Sequence, residues 1–145
     1  MIGEREGLDA DIVQMIGECE ALTALNRKLN LVVAFNYGGR TEIARAARAM
    51  AEKVARGEMS LCDIDEASLG AHLYAPDVPE PDLLIRTSGE QRVSNYLLWQ
   101  MAYTEMVFVE EHWPDFDKAI FQRAIAEYAS RQRRFGGVPA AVAAG

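Results

Sequence analysis

Cysteine and histidine are nearly absent: the chain holds Cys19, Cys62, His72 and His112 and no others of either type. No CxxC occurs, so no zinc site of ordinary spacing can be assembled. The spacing of Cys19 and Cys62 gives no support for a disulfide, and two buried thiols of an intracellular chain are the expectation. Long apolar runs are missing too. Leu31–Phe35 is strand-sized and far short of a membrane span. Met1–Glu6 contains no signal-peptide core, which points to the cytoplasm. Positive charge is in deficit, with 15 basic against 22 acidic residues and a net charge of −7. That balance argues against a nucleic-acid partner, whose phosphates require a basic face, but leaves room for a local anion pocket.

The 145 residues fit one domain, and half of them are apolar by a count that includes alanine and tyrosine, a globular balance. Helical spacing of Ile12, Met15, Ile16, Cys19, Leu22 and Leu25 predicts a helix capped by Asp9 or Asp11 and ending near Asn26. Leu29–Phe35 has no alternation in its last five residues and predicts a strand buried on both faces of a parallel sheet. Thr41–Arg56 predicts a helix burying Ile43, Ala47, Met50 and Val54, with Gly57 as terminator. Asp63 or Asp65 caps a short helix through Leu69 and Leu73. Pro76, Pro79 and Pro81 hold the following stretch open.

Asp82–Arg86 reads as a second strand and Thr87–Ser94 as a polar loop. Asn95 is expected to cap a helix carrying Leu97, Leu98, Met101 and Ala102, and Met106–Val109 to be a third strand. Asp115 is the expected cap of a last helix, from Phe116 to about Arg134, burying Ile120, Phe121, Ala124, Ile125 and Tyr128. Alternating strands and helices define an α/β class, here a partial parallel sheet with flanking helices. Met1-Ile2-Gly3 reads as the end of a strand, and three doubly buried strands have few elements to cover them. The expectation is a portion of a larger α/β domain.

The densest polar segment, Arg86-Thr87-Ser88-Gly89-Glu90-Gln91-Arg92-Val93-Ser94-Asn95, leaves the carboxyl end of a predicted parallel strand. Ligands of open α/β sheets bind outside those ends. Arg86 and Arg92 supply planar forks that match phosphate oxygens, Ser88 and Ser94 supply hydroxyls, and Gly89 permits close backbone approach. Pattern alone leaves this open between a diphosphate site and a solvated loop whose arginines pair with Glu90 and nearby acids. Glu105 starts a strand and could place a carboxylate on Mg²⁺ beside a diphosphate, although a surface glutamate is the simpler reading. Asn36-Tyr37-Gly38-Gly39-Arg40 also follows a predicted strand and could line the same crevice, although its glycines read first as a tight turn. His72, His112, Trp99 and Trp113 read as structural.

Taken together, Asn36–Arg40, Asp82–Gln100, Tyr103-Thr104-Glu105, Trp113–Phe116 and Arg133-Arg134-Phe135-Gly136-Gly137 resemble the cis-prenyltransferases, in particular the bacterial undecaprenyl diphosphate synthases. The likeness runs from about Ile2 to Gly137. It implies the C-terminal portion of that fold over 1–137, with a tail over 138–145. It implies condensation of isopentenyl diphosphate onto an allylic diphosphate with Mg²⁺, in a cytoplasmic homodimer, peripheral at the membrane, whose lipid product partitions into the membrane as a cell-wall carrier. By this resemblance Arg86, Arg92 and Ser94, with the backbone around Val93, hold isopentenyl diphosphate, and Glu105 holds magnesium. Asp82 and Glu90 match acidic positions nearby, and Arg134 and Gly136 match a C-terminal Arg-x-Gly element that reaches the site across the dimer. The family's Asp-Gly-Asn-Gly-Arg loop, which carries the catalytic aspartate, does not occur in these residues. The chain alone is therefore expected to be inactive. The alternatives are a non-catalytic partner subunit and a small phosphate-binding module.

Overall fold

The computed structural model describes residues 1–131. They form two compact units, Met1–Pro79 with Ser94–Trp99, and Glu80–Val93 with the described residues from Gln100 onward.

In the first unit, α1 spans Ala10–Thr23 behind Asp9. The predicted apolar stripe is present but uncovered: Met15 is 58% and Leu22 86% exposed, and Cys19 is exposed as well. Ile12 and Ile16 are half-buried. Leu29–Phe35 does not form the doubly buried strand. Leu29 and Asn30 are exposed, residues 31–35 alternate between exposed and half-covered, and the one pairing is a parallel bridge from Ala34 to Ile2. Ile2 N–H donates to the Val33 carbonyl at 2.9 Å and Phe35 N–H to the Ile2 carbonyl at 3.0 Å. A strand that reads as buried needs neighbours on both sides, and the described residues supply one short one.

Helix α2, Gly39–Ala55, buries Glu42, Ala46 and Met50. Met50 is buried as predicted and Ile43 and Val54 are half-buried, but Glu42 and Ala46 take the fully buried positions and Ala47 is exposed. Gly57 follows the helix at φ +72°. Helix α3, Glu66–Gly70, starts at Asp65, whose side chain accepts from Ser68 N–H while the Ser68 hydroxyl accepts from Asp65 N–H. This reciprocal cap is the local signal read from the sequence. Cys62, expected to be buried, is exposed.

In the second unit, β1 (Leu83–Arg86) and β2 (Glu105–Phe108) pair in parallel, with Leu83 opposite Glu105 and Arg86 opposite Phe108. The core is Val107, Val109, Ile120 and Ala124, with Leu83, Ile85 and Phe116 packed against it. Helix α4, Lys118–Ser130, covers it, capped by Asp117 accepting from Ile120 N–H at 2.9 Å. Asp115 instead lies in a short 3₁₀ turn, Trp113–Asp115, which Pro114 favours. Phe121 and Ile125 stay exposed. The architecture is mixed α/β around a small parallel pair.

The expected helix at Asn95 does not form: residues 94–103 are turns and bends. Ser94, Asn95 and Leu97 have φ of 50°, 61° and 41°, the left-handed region, which cannot continue a right-handed helix.

Candidate functional site

Arg86 ends β1, and the loop behind it is tied to the residues after β2. Val109 N–H donates to the Arg86 carbonyl at 2.8 Å, Ser88 N–H to Glu111 at 2.8 Å and Gly89 N–H to Val109 at 3.0 Å. The polar loop thus leaves the carboxyl end of the parallel pair, the location expected from the sequence.

Its interior differs from a simple anion cradle. Arg92 is 68% exposed on its side chain and ion-pairs with Glu90, the partnership expected of a solvated loop. Gly89, at φ +64°, accommodates an acid rather than leaving open space: a Cβ there would lie 2.7 Å from Glu110 Oε2. The Ser88 hydroxyl lies 3.2 Å from His112 Nδ1. Asp82 is exposed, and Val93 and Glu90 are half-buried.

Glu105 starts β2, at the other end of the ladder from Arg86, three residues and about 10 Å along the strands. Its Oε2 accepts from Arg131 Nη1 at 2.9 Å, and Arg131 Nη2 donates to Glu127 at 2.5 Å. These two carboxylates, Glu105 foremost, raise the Arg131 pKa above its ordinary value. Among the described residues no cluster of three His, Cys, Asp or Glu side chains could hold a metal. Glu105, the carboxylate the sequence offers to Mg²⁺, is thus held by Arg131 and has no second acidic ligand grouped with it into a metal cluster among the described residues. Arg134 and Gly136 lie outside the described residues.

Ser94 belongs to the first unit, where the adjoining Asn95 is held by α2. Gly39 N–H donates to the Asn95 carbonyl at 2.7 Å, and Arg40 N–H to its side-chain Oδ1 at 2.9 Å. Asn95 thus caps a helix 55 residues away in sequence rather than one of its own. Gly38 and Gly39 are needed for this approach. A Cβ on Gly38 would lie 2.8 Å from Asn95 Nδ2, and one on Gly39 would lie 2.9 Å from Leu98 Cγ.

The buried Glu42 was not legible as important. It is fully buried and accepts from the Tyr37 hydroxyl at 2.5 Å and from Tyr74 N–H at 2.8 Å, fastening the segment before α2. Burial first, then the Glu42 hydrogen bond, pushes the Tyr37 pKa well above its usual value. A glutamate in a helix's first turn ordinarily reads as a solvated partner of the dipole. The available signal was Tyr37, five residues before it. His72 is held between Lys53 Nζ at 2.8 Å and the Ser68 carbonyl at 2.7 Å, consistent with packing.

Residues 1–136 match the family model described as putative undecaprenyl diphosphate synthase, and the chain belongs to this cis-prenyltransferase family of enzymes. It is 60% identical over 143 residues to isoprenyl transferase 2 of Bradyrhizobium diazoefficiens, covering 99% of this chain and 57% of the relative. It is 49% identical over 142 residues to the (2E,6E)-farnesyl-diphosphate-specific ditrans,polycis-undecaprenyl-diphosphate synthase of Xylella fastidiosa strain Temecula1, covering 98% of this chain and 56% of that one. The fold matches lavandulyl diphosphate synthase of Lavandula x intermedia in complex with dimethylallyl diphosphate, with TM-score 0.90 and 41% identity over 93% of this chain and 58% of that one. It also matches a probable undecaprenyl diphosphate synthase of Campylobacter jejuni, with TM-score 0.79 and 32% identity over 93% and 61%. The chain thus spans under two thirds of the length of these relatives.

Proposed function

We propose that residues 1–137 act as the C-terminal portion of an isoprenyl transferase that condenses isopentenyl diphosphate with an allylic diphosphate to give a cis-polyprenyl diphosphate of the undecaprenyl type. The observation that carries this is the Arg86–Ser94 segment leaving the carboxyl end of a parallel strand, in a chain whose residues 1–136 match the family. A relative's structure holding dimethylallyl diphosphate supports an allylic diphosphate as co-substrate.

In this reading Arg86, Arg92 and Ser94, with the amides around Val93, bind the diphosphate of isopentenyl diphosphate through charge-assisted hydrogen bonds. Glu90 neutralises Arg92 until the anion arrives and then releases the guanidinium. Asp82 and Glu90 are supporting acids. Glu105 contributes one carboxylate to Mg²⁺, which when bound neutralises diphosphate charge. Arg131 occupies one oxygen of that carboxylate and gives it up when Mg²⁺ binds. Fixed cations facing the diphosphates favour cleavage of the allylic C–O bond, where negative charge grows on the leaving group.

The enzyme is proposed to be a cytoplasmic homodimer, peripheral at the membrane, completed by the partner's Arg134 and Gly136. No helix among the described residues is long and apolar enough to cross a membrane. A non-catalytic partner subunit is the second reading, favoured by one feature: these residues contain no Asp-Gly-Asn-Gly-Arg stretch. Sequencing the reading frame upstream of Met1 separates the two. An in-frame Asp-Gly-Asn-Gly-Arg segment supports the enzyme, and its absence supports the partner subunit.

A further inference from the structure

The geometry points to Asn95 as a positioning residue for isopentenyl diphosphate, acting through Ser94 by anchoring it to the start of α2. The inference rests on the proposed role of Ser94.

Ser94 and Asn95 both sit in the left-handed region, at φ 50° and 61°. Such backbone is strained for a non-glycine residue and persists only where surrounding contacts fix it. The fixing contacts are on Asn95. Its carbonyl takes Gly39 N–H at 2.7 Å and its Oδ1 takes Arg40 N–H at 2.9 Å, so one residue satisfies two amides of the first turn of α2. The Gly38-Gly39 pair leaves no room to spare: added Cβ atoms would meet Asn95 Nδ2 at 2.8 Å and the Asn95 carbonyl at 3.2 Å. Asn95 cannot leave α2 without breaking these two bonds, and a side chain at either glycine would displace it or its neighbour Leu98. Ser94, one peptide bond away, inherits that placement. This explains two features that the turn reading of Asn36–Arg40 leaves apart. The glycines are not in left-handed conformations, Gly38 having φ −151°, and their use is close approach. The Asn36–Arg40 segment thereby sets the conformation at Ser94.

The test uses four variants of the full-length enzyme, with steady-state kinetics in each substrate and a thermal melt. Asn95→Gly keeps left-handed backbone accessible but removes Oδ1. Gly38→Ala keeps Asn95 but pushes its amide, at a φ that alanine tolerates. Both are expected to raise KM for isopentenyl diphosphate about tenfold, since small misplacements of binding groups cost this much or more, with KM for the allylic substrate changed less than about twofold. Ser94→Ala and Arg92→Ala report on the underlying site. If those two raise the same KM and neither Asn95→Gly nor Gly38→Ala does, the positioning role is wrong while the site stands. If Ser94→Ala and Arg92→Ala leave it unchanged, the site itself is wrong. A lowered melting temperature with both KM values unchanged in Asn95→Gly and Gly38→Ala would show a purely structural cap and overturn the inference.

Discussion

Arg131 Nη1 lies 2.9 Å from Glu105 Oε2, so the guanidinium at the end of α4 occupies an oxygen of the one glutamate proposed to meet Mg²⁺. Both side chains are about a third exposed or less, and such a pair contributes up to about 1 kcal/mol. In the full-length enzyme Glu105→Gln is expected to raise the Mg²⁺ concentration for half-maximal activity about tenfold or more. Arg131→Met is expected to lower it, because a competitor for Oε2 is gone, and to lower the melting temperature slightly. A magnesium titration of both variants checks the opposite signs.

In the proposed site, Arg86→Ala and Arg92→Ala would each remove a charge-assisted contact of about 1.5–3 kcal/mol. Use of isopentenyl diphosphate is expected to fall about tenfold to a hundredfold in kcat/KM. Glu90→Gln releases Arg92 from its ion pair and is expected to lower KM for the same substrate. Near-wild-type kinetics for both alanine variants would return the loop to a solvated surface feature.

Alkaline stability follows from the tyrosines of the first unit. Burial first, then the hydrogen bond to Glu4, raises the Tyr74 pKa to about 12 from its ordinary 10. Tyr37 moves in the same direction beside Glu42. A raised phenol pKa means the fold prefers the neutral form. The stabilisation is whole below about pH 10, the unfolded value, and is lost as pH rises through about 12. Denaturant melts across that window are expected to show the loss, made shallower by Tyr74→Phe. Ultraviolet titration should show tyrosines ionising late.

Leu22, Leu25, Leu29 and Leu31 are each at least 76% exposed, an apolar surface that water does not favour. The 145-residue chain on its own is expected to self-associate at micromolar concentration by light scattering. A monodisperse monomer would show that this surface needs no cover.

Elements fixed by local chemistry were legible. The Asp65 cap, Gly57, the two short strands and the buried Ile120 and Ala124 of α4 each carry their signal within a few residues. What failed depends on distant partners. Cys19 and the α1 stripe are exposed because nothing described covers them, and Leu29–Phe35 has one bridge in place of two neighbours. Asn95 looked like a cap for its own helix and serves α2 instead, a choice made by the positive φ values from Ser94 to Leu97. Arg86, Arg92 and Ser94 were legible as one polar loop. The intrusion of Glu110 at Gly89 and the separation of Glu105 from Arg86 along the ladder were not, since both depend on how β2 and its sequel lie against β1.

The most direct test of the central claim is transfer of labelled isopentenyl diphosphate onto farnesyl diphosphate with Mg²⁺, run on the full-length enzyme and on the 145-residue chain. The account predicts a labelled cis-polyprenyl diphosphate from the full-length enzyme, strongly reduced by Arg86→Ala, and none above background from the chain alone, which lacks the Asp-Gly-Asn-Gly-Arg segment. No labelled product from the full-length enzyme, or turnover by the chain alone, would contradict it.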